Sequence, residues 1–179
     1  GDSIAYTYTK RGDLLSIKDA LGYMTTYSYD ALRRRTATSS FSGTSYTMYD
    51  AHGNKISMTD KKGQVTLCSY NINNKLISQT NALGNTRTFA YDANGNKISE
   101  TDYKGNTTTF VYDVLNRLVK TTDPLTHEAV FTYDAKGNQT SMKDANNHVT
   151  NYVYDALNRL IEVHKPIGTT LYEYDANNN

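Results

Sequence analysis

The chain has 179 residues, 37% of them hydrophobic, and its aromatic side chains are 16 Tyr and 4 Phe with no Trp. A formal net charge of +1, with Lys and Arg spread along the chain, provides no electrostatic footprint for nucleic acid or an anionic membrane. The single cysteine, Cys68, excludes a disulfide framework within the chain, and no apolar run approaches membrane-spanning length.

A tandem repeat organises the chain, and one tyrosine marks its register. In chain order these register tyrosines are Tyr8, Tyr29, Tyr49, Tyr70, Tyr91, Tyr112, Tyr133, Tyr154 and Tyr174. The step between them is 21 residues, shortened to 20 only from Tyr29 to Tyr49 and from Tyr154 to Tyr174. This pattern predicts a single array over residues 1–179 with about eight repeats of 20 to 21 residues. Because both chain ends fall inside the pattern, the chain is interpreted as a fragment of a longer protein.

Each repeat is predicted to contain two four-residue turns. The first follows the register tyrosine, as in Asp92–Gly95, and the second comes ten residues later, as in Asp102–Gly105. Asp at the first position can accept hydrogen bonds from the amides that follow, and Gly at the fourth can adopt the left-handed conformation that closes a hairpin. The same device is predicted at Ser40–Gly43 and Lys165–Gly168. The turn glycines, ten of the 11 in the chain, are Gly12, Gly22, Gly43, Gly53, Gly63, Gly84, Gly95, Gly105, Gly137 and Gly168.

The segments between the turns have the length and pattern of strands. Before each register tyrosine polar and apolar residues alternate, so that Phe110 and Tyr112 share one face while Thr109 and Val111 share the other. Most repeats carry this pair of aromatics, and Thr47 and Cys68 are the exceptions. After the first turn an aliphatic residue recurs at one fixed place: Leu15, Ile56, Ile77, Ile98, Val119 and Ile161.

These segments predict an all-β fold. One repeat cannot bury enough apolar surface to fold alone, so neighbouring repeats have to stack. Antiparallel sheets of roughly sixteen strands normally twist, curl or close. We therefore predict tandem two-strand repeats that form a long, curved or spiralling antiparallel β-sheet.

The repeats resemble a known family, the YD repeat or RHS repeat, in the stretches YDANGNKISETDYKGNTTTF and YDALNRLIEV. The resemblance extends over essentially the whole chain. In bacterial RHS polymorphic toxins, toxin-complex shell proteins and teneurins such arrays build a spiralling β-shell. The resemblance implies a non-enzymatic segment of a β-shell that encloses or presents a toxin or other cargo domain absent from this chain, in a secreted or cell-surface bacterial protein. Asp123-Pro124 shares only the first two residues of the family's autoproteolytic core motif and is interpreted as an ordinary second turn.

The sequence offers no catalytic, cofactor-binding or metal-binding residues. Twelve of the 14 Asp open turns at repeat spacing, which favours a structural role over paired catalytic carboxylates. His127 and His148 hold equivalent places one repeat apart, and backbones about 9 to 10 Å apart disfavour a shared metal. The loop from Asp92 differs from a calcium-binding loop because its Gly is fourth and its twelfth residue is Tyr103. Cys68 is predicted to be a small buried filler.

Two classes of function remain open. One is a structural wall; the alternative is a cell-surface binding module in which exposed Tyr, Asn and Thr engage glycans or a protein partner. Aromatic rings packed on one another would indicate a core, whereas rings standing separately on an open groove would indicate a binding site. The run Arg33-Arg34-Arg35 is interpreted as a solvated strand start.

The predicted partners are neighbouring repeats and a cargo domain of the parent protein, with no nucleic acid and no membrane insertion. Self-association through sheet edges is also expected. Ile4 to Tyr8 and Thr170 to Tyr174 would leave unpaired strands at the ends of the array, and they carry little charge to repel a partner.

Overall fold

The structure, a computed structural model, describes residues 3–175, so residues 176–179 of the predicted array lie outside it. Over this range the secondary structure consists of strands, which confirms the predicted all-β class. The strands are β1 (Ala5–Tyr8), β2 (Leu14–Lys18), β3 (Met24–Tyr29), β4 (Arg35–Ser40), β5 (Gly43–Tyr49), β6 (Lys55–Thr59), β7 (Val65–Tyr70), β8 (Leu76–Thr80), β9 (Thr86–Tyr91), β10 (Lys97–Thr101), β11 (Thr107–Tyr112), β12 (Leu118–Thr122), β13 (Glu128–Tyr133), β14 (Gln139–Lys143), β15 (Val149–Tyr154), β16 (Leu160–Lys165) and β17 (Gly168–Leu171).

The chain divides into two compact units, and the boundary falls inside β9, between Thr88 and Phe89. The first unit contains β1 to β8 and the start of β9, and the second contains the end of β9 and β10 to β17. Within each unit every strand pairs antiparallel with the next strand along the chain. Each unit is therefore an antiparallel meander with two strands per repeat, as the sequence predicts.

The turns close through two backbone hydrogen bonds. In the first turn of the repeat that starts at Tyr91, the Asp92 amide donates to the Asn96 carbonyl and the Gly95 amide to the Asp92 carbonyl, both at 3.0 Å. The residue at the fourth position has a positive φ at every turn in the described range, from 58° at Asn74 to 147° at Gly168. Where Gly is missing, Asn usually occupies this position because Asn enters left-handed space at low cost.

Two second turns differ from the predicted device. Ser40 pairs with Gly43 and Lys165 pairs with Gly168, so only two residues form each of these loops. Their glycines have φ values of +121° and +147°, outside the range of 80° to 94° seen at the other turn glycines. These loops lie in the two repeats of 20 residues, and the missing residue is removed from the loop rather than from a strand.

A β-bulge recurs in every repeat in which the pairing register is resolved. Tyr112 pairs with Leu118 and Val111 pairs with Lys120, so Val119 is the extra residue on the second strand. Most of the fixed aliphatic positions in the sequence are these bulge positions. The aliphatic pattern was visible in the sequence, but the bulge was not. The residues in the bulge position are Leu15, Thr36, Ile56, Ile77, Val119, Thr140 and Ile161.

The sheet has one half-buried face and one exposed face. In β11 Thr108, Phe110 and Tyr112 are partly buried, whereas Thr107, Thr109 and Val111 are exposed. Over the described residues only Cys68 and Val163 are buried hydrophobic side chains, at 8% and 6% exposure. The core is therefore a thin layer on the face that carries the paired aromatics, called here the aromatic face.

The turn geometry predicts different tolerance at the two ends of a turn. Gly105→Val forces a β-branched residue to a φ of +86° and should lower the free energy of unfolding by more than about 1 kcal/mol. Asp102→Asn should lower it less, because Asn71 and Asn81 open the same kind of turn with their own side-chain oxygens. Chemical denaturation of the two variants checks this, and equal losses would contradict the turn assignment.

Candidate functional site

The register tyrosines tie each repeat to the one before it. The Tyr112 hydroxyl donates to the Lys97 carbonyl at 3.1 Å, at the start of β10 in the preceding repeat. This carbonyl belongs to the first residue of the strand, and the tyrosine ring is half-buried. The same bond joins Tyr29 to Leu14, Tyr49 to Arg35, Tyr70 to Lys55, Tyr133 to Leu118 and Tyr174 to Leu160, at 2.8 to 3.1 Å. The sequence identified the tyrosines but not their acceptors.

The turn aspartates use both carboxylate oxygens inside their own turn. Asp92 Oδ1 accepts from the Asn96 amide at 2.8 Å, and its Oδ2 accepts from the Asn96 side-chain amide at 2.9 Å. The residue after the fourth turn position thus holds the carboxylate through its side chain, and it is called here the clamp residue, or clamp. Sequence reasoning found the contacts to backbone amides and missed this side-chain partner. At other turns the clamp is Arg34, Asn54, Asn106, Arg117, His127, Asn138, His148 or Arg159.

Hydrogen bonding in these turns lowers the pKa of the carboxyl groups below the ordinary value of 3.8. The side-chain amide of Asn96 is the largest cause at Asp92, and the backbone amide of Arg117 is the largest cause at Asp113. The pKa shifts in the same direction at Asp30, Asp50, Asp102, Asp123, Asp134, Asp144 and Asp155. The ionised carboxylate is therefore the form that these turns favour.

A pH dependence follows from the lowered pKa values. A carboxyl whose pKa is lower in the folded state contributes stability above its unfolded pKa, and that contribution is lost as the pH falls through the folded pKa. We expect the denaturation midpoint to be steady at about pH 5 to 6 and to fall below about pH 4. Asp92→Asn combined with Asp134→Asn should make the fall shallower. A denaturation midpoint that stays constant down to about pH 3 would contradict a stabilising role for the ionised turn carboxylates.

The contacts between first turns alternate from one repeat to the next. With repeats numbered from Tyr8, repeats 2, 6 and 8 carry an arginine clamp. The Arg117 guanidinium lies 4.8 Å from the Tyr133 ring centroid, and its Nη1 donates to the Asp134 carbonyl at 2.9 Å. Arg34 makes the same two contacts with Tyr49 and Asp50. Repeats 2, 6 and 8 therefore hold the next repeat through an arginine stacked on that next repeat's register tyrosine.

The odd repeats hold their successors through amides instead. Asn96 donates to Asn116 at 2.7 Å, and the same contact joins Asn54 to Asn74 at 2.8 Å. Between repeats 1 and 2 an ion pair from Arg33 to Asp13, at 2.6 Å, replaces the amide pair. The structural period is thus two repeats, about 42 residues. The sequence shows this period in the fifth residue from the start of the first turn, which is Asn in DAHGN, DANGN and DAKGN and Arg or Lys in DALRR, NINNK, DVLNR and DALNR. The single-repeat interpretation overlooked this signal.

The three consecutive arginines lie at the start of β4, with Arg33 and Arg35 exposed as the sequence suggested, and each also has a partner in the fold. Arg33 pairs with Asp13, and Arg34 bonds Asp30 at 2.6 Å. The Arg35 guanidinium lies 4.5 Å from the Tyr27 ring centroid. Each cation therefore has a partner within the fold.

Three histidines bond a carboxylate close by in the chain. In the range 3–175 no three His, Cys, Asp or Glu residues are grouped so that they could hold a metal ion. His127 and His148 each bond the Asp of their own turn. Cys68 is buried, forms no disulfide and occupies a position that carries an aromatic residue in most repeats. The pKa of Tyr70 is raised, mainly by burial and then by the nearby Cys68. No helix capable of crossing a membrane occurs in the described part of the chain.

The aromatic face has a shallow groove where its paired aromatics are interrupted. Thr47 and Cys68 occupy aromatic positions in successive repeats of the first unit. A groove of about 400 Å³ lies beside Thr47, lined by Met58, Thr66 and Gln79 among other residues. It contains no group of catalytic side chains.

Comparisons with known proteins agree with this geometry. A family model described as RHS Repeat matches residues 8–45, 70–102, 91–128, 133–170 and 154–179, well over half of the chain. Crystal structures of TcdB2-TccC3-TEV and TcdB2-TccC3-Cdc42 match with TM-scores of 0.74 and 0.75, at 20% and 19% identity, and each match covers 98% of this chain. TcdB2-TccC3 without its hypervariable C-terminal region matches with a TM-score of 0.71 at 21% identity over 96% of this chain.

The chain spans only 11% of the length of these crystallised proteins. A comparison with curated proteins found no match. The structural matches therefore show a shared fold, and the family match rests on the repeats themselves.

Proposed function

The chain belongs to the RHS repeat family, and from this membership we propose that it is a wall segment of a longer β-shell that encloses or presents a toxin or other cargo domain. The proposed setting is a secreted or cell-surface bacterial protein. The chain contributes the wall, and another part of the parent protein contributes the cargo.

The observation that carries this proposal is the use of the polar residues. Turn aspartates, clamp residues and register tyrosines all bond within a repeat or to the adjacent repeat, and they do so again in most of the array. A catalytic site would instead need several polar side chains that do not follow the repeat pattern and that lie close together. The polar chemistry of this chain holds repeats together.

The crystallised neighbours support a separation between wall and cargo. The fold match persists in the TcdB2-TccC3 structure that lacks the hypervariable C-terminal region. The part of TcdB2-TccC3 that resembles this chain is therefore distinct from its hypervariable region. By analogy we propose that this array is the constant part of a protein whose cargo varies.

A binding module for glycans or a cell-surface protein is the alternative. It would need aromatic rings that stand free on an open groove, because flat exposed rings are what such partners contact. The register tyrosines after Tyr8 are half-buried, and most of their hydroxyls bond the preceding repeat. Because the rings are half-buried and most of their hydroxyls are already hydrogen-bonded, the wall is favoured over the binding module.

The wall proposal predicts that the chain has no catalytic activity. Screening against nuclease, protease and glycosidase substrates should give no turnover, since the turn aspartates, clamp residues and register tyrosines bond within or between repeats. Reproducible turnover that one point substitution in a single repeat abolishes would contradict the prediction.

Protease protection tests the enclosing role itself. In the natural gene product that carries these repeats, the proposed cargo domain should resist a broad-specificity protease until denaturant unfolds the array. Gly63→Val with Gly105→Val should shift the loss of protection to lower denaturant, because both substitutions strain turns of the wall. A cargo domain that is digested equally fast with and without a folded array would contradict the proposal.

A further inference from the structure

The tips of the turns show a second pattern with the two-repeat period. In the even repeats the first turn carries an exposed aliphatic side chain, and these four residues, called here the first-turn row, are Leu32, Ile72, Leu115 and Leu157. The second turns of the same repeats carry the second-turn row: Phe41, Leu83, Leu125 and Ile167. Exposure reaches 97% at Ile72 and Ile167 and 85% at Leu83. Every even repeat thus has an apolar tip at both of its turns.

The odd repeats carry polar residues at the third turn position, with one exception. Six of the eight apolar tips lie at this position, and Ile72 and Phe41 lie at the second position. In the odd repeats the first-turn tips are Arg11, His52, Asn94 and Lys136, and the second-turn tips are Leu21, Lys62, Lys104 and Asn146. Leu21 is the exception. Ile72, Leu83, Leu115 and Leu125 are therefore flanked on both sides by polar tips, a surrounding typical of interaction sites.

Folding does not require these apolar tips. The inter-repeat contacts of repeats 2, 6 and 8 use Arg clamps and register tyrosines, and the eight tip side chains are 63% to 97% exposed. Among the tips, Phe41 has a ring contact, with its centroid 5.0 Å from that of Tyr23. The odd repeats make equivalent turns with Lys, His or Asn at the tip. Large aliphatic residues at up to 97% exposure thus have a role other than forming the turn.

We propose that the two rows form an interface in which the first-turn row of one chain lies against the second-turn row of a second copy. Within either unit, successive apolar tips of one row are four strands apart, about 19 Å. Both rows have this interval, so within each unit two copies side by side can bring apolar tips together at successive even repeats. A partner without the same repeat would not match an interval of that length.

The charges of the odd repeats fit this pairing. With equivalent repeats opposite each other, Arg11 faces Leu21, His52 faces Lys62, Asn94 faces Lys104 and Lys136 faces Asn146. No pair brings a Lys or Arg against another Lys or Arg. Two first-turn rows placed in register would instead put Lys136 against Lys136, which like-charge repulsion disfavours. The pairing is therefore between unlike rows, and such a heterologous contact extends into a stack rather than closing as a dimer.

Sedimentation velocity across a concentration series tests this interface. We expect the chain to form dimers and larger stacks. Leu83→Asn with Leu125→Asn should raise the apparent Kd at least tenfold, since Asn suits the turn but removes the apolar contact. The matched control, Lys62→Asn with Lys104→Asn, changes the same turn position in odd repeats and should alter the Kd less than twofold.

A mixing experiment tests the pairing of unlike rows. Ile72→Asn with Leu115→Asn disables the first-turn row, while the Leu83 and Leu125 variant disables the second-turn row. Each variant alone should associate weakly, but a 1:1 mixture should form dimers that do not extend, because one competent row remains on each partner. Circular dichroism confirms that the variants keep the fold.

Several results would overturn the inference. A wild-type chain that stays monomeric at high concentration would exclude the interface. Association that the even-repeat variants leave unchanged would place it at the end strands or on a sheet face. An equal loss in the odd-repeat control, or a 1:1 mixture that fails to dimerise, would exclude pairing through the apolar rows.

Discussion

Tyr112→Ala should lower the free energy of unfolding by about 3 kcal/mol, because it removes a half-buried ring and the bond that ties repeat 6 to repeat 5. Tyr112→Phe keeps the ring and loses only the hydroxyl, so we expect a loss of about 1 kcal/mol. The Lys97 carbonyl, which accepts that bond at 3.1 Å, would then lack its tyrosine donor.

Tyr46→Phe is the matched control for the hydroxyl. Tyr46 lies on the opposite face of the sheet from the register tyrosines and is 53% exposed. Chemical denaturation should show little change for this variant. If Tyr46→Phe and Tyr112→Phe lose equal stability, the bond to the preceding repeat does not hold the array together.

Gly43→Ala should be the most damaging of the turn substitutions that add a single methyl group. A Cβ at this position would lie 2.6 Å from the Lys61 carbonyl oxygen, a contact that requires backbone movement. The φ of +121° also lies beyond the left-handed region near +60° that non-glycine residues enter. Steric overlap and backbone strain therefore act together at Gly43.

Gly63→Ala separates these two causes. Gly63 has a φ of +81°, and a Cβ there would meet nothing within 4 Å. We expect Gly63→Ala to cost about 1 kcal/mol, from backbone strain alone, and Gly43→Ala to cost at least twice as much. Chemical denaturation measures both variants, and equal losses would show that the chain near Lys61 moves aside freely.

The sequence predicts the strands and turns well because both are local features. An Asp followed three residues later by Gly sets the turn, and alternation before the register tyrosine sets the strand, without reference to distant residues. Nine tyrosines at a near-constant step then fix the two-strand repeat. These signals were sufficient for the all-β antiparallel fold.

The features that the sequence did not reveal depend on pairing between strands. The bulge at Val119 appears only when β11 and β12 are aligned, and the Lys97 acceptor is known only when the preceding strand is placed beside Tyr112. The 20-residue steps between register tyrosines indicated that the repeats containing Gly43 and Gly168 are one residue shorter. The sequence alone did not show that the loops, rather than the strands, are shortened. The alternation of Arg and Asn clamps is visible in the sequence, but only when the sequence is compared at a period twice that of the register tyrosines.

Cryo-electron microscopy of the natural gene product that carries these repeats tests the enclosing role most directly. We predict that residues 3–175 form part of a β-sheet wall, with a separate domain held against one face of it and shielded from solvent. A density map in which both faces of these repeats are open to solvent, with no domain beside them, would contradict the proposed function.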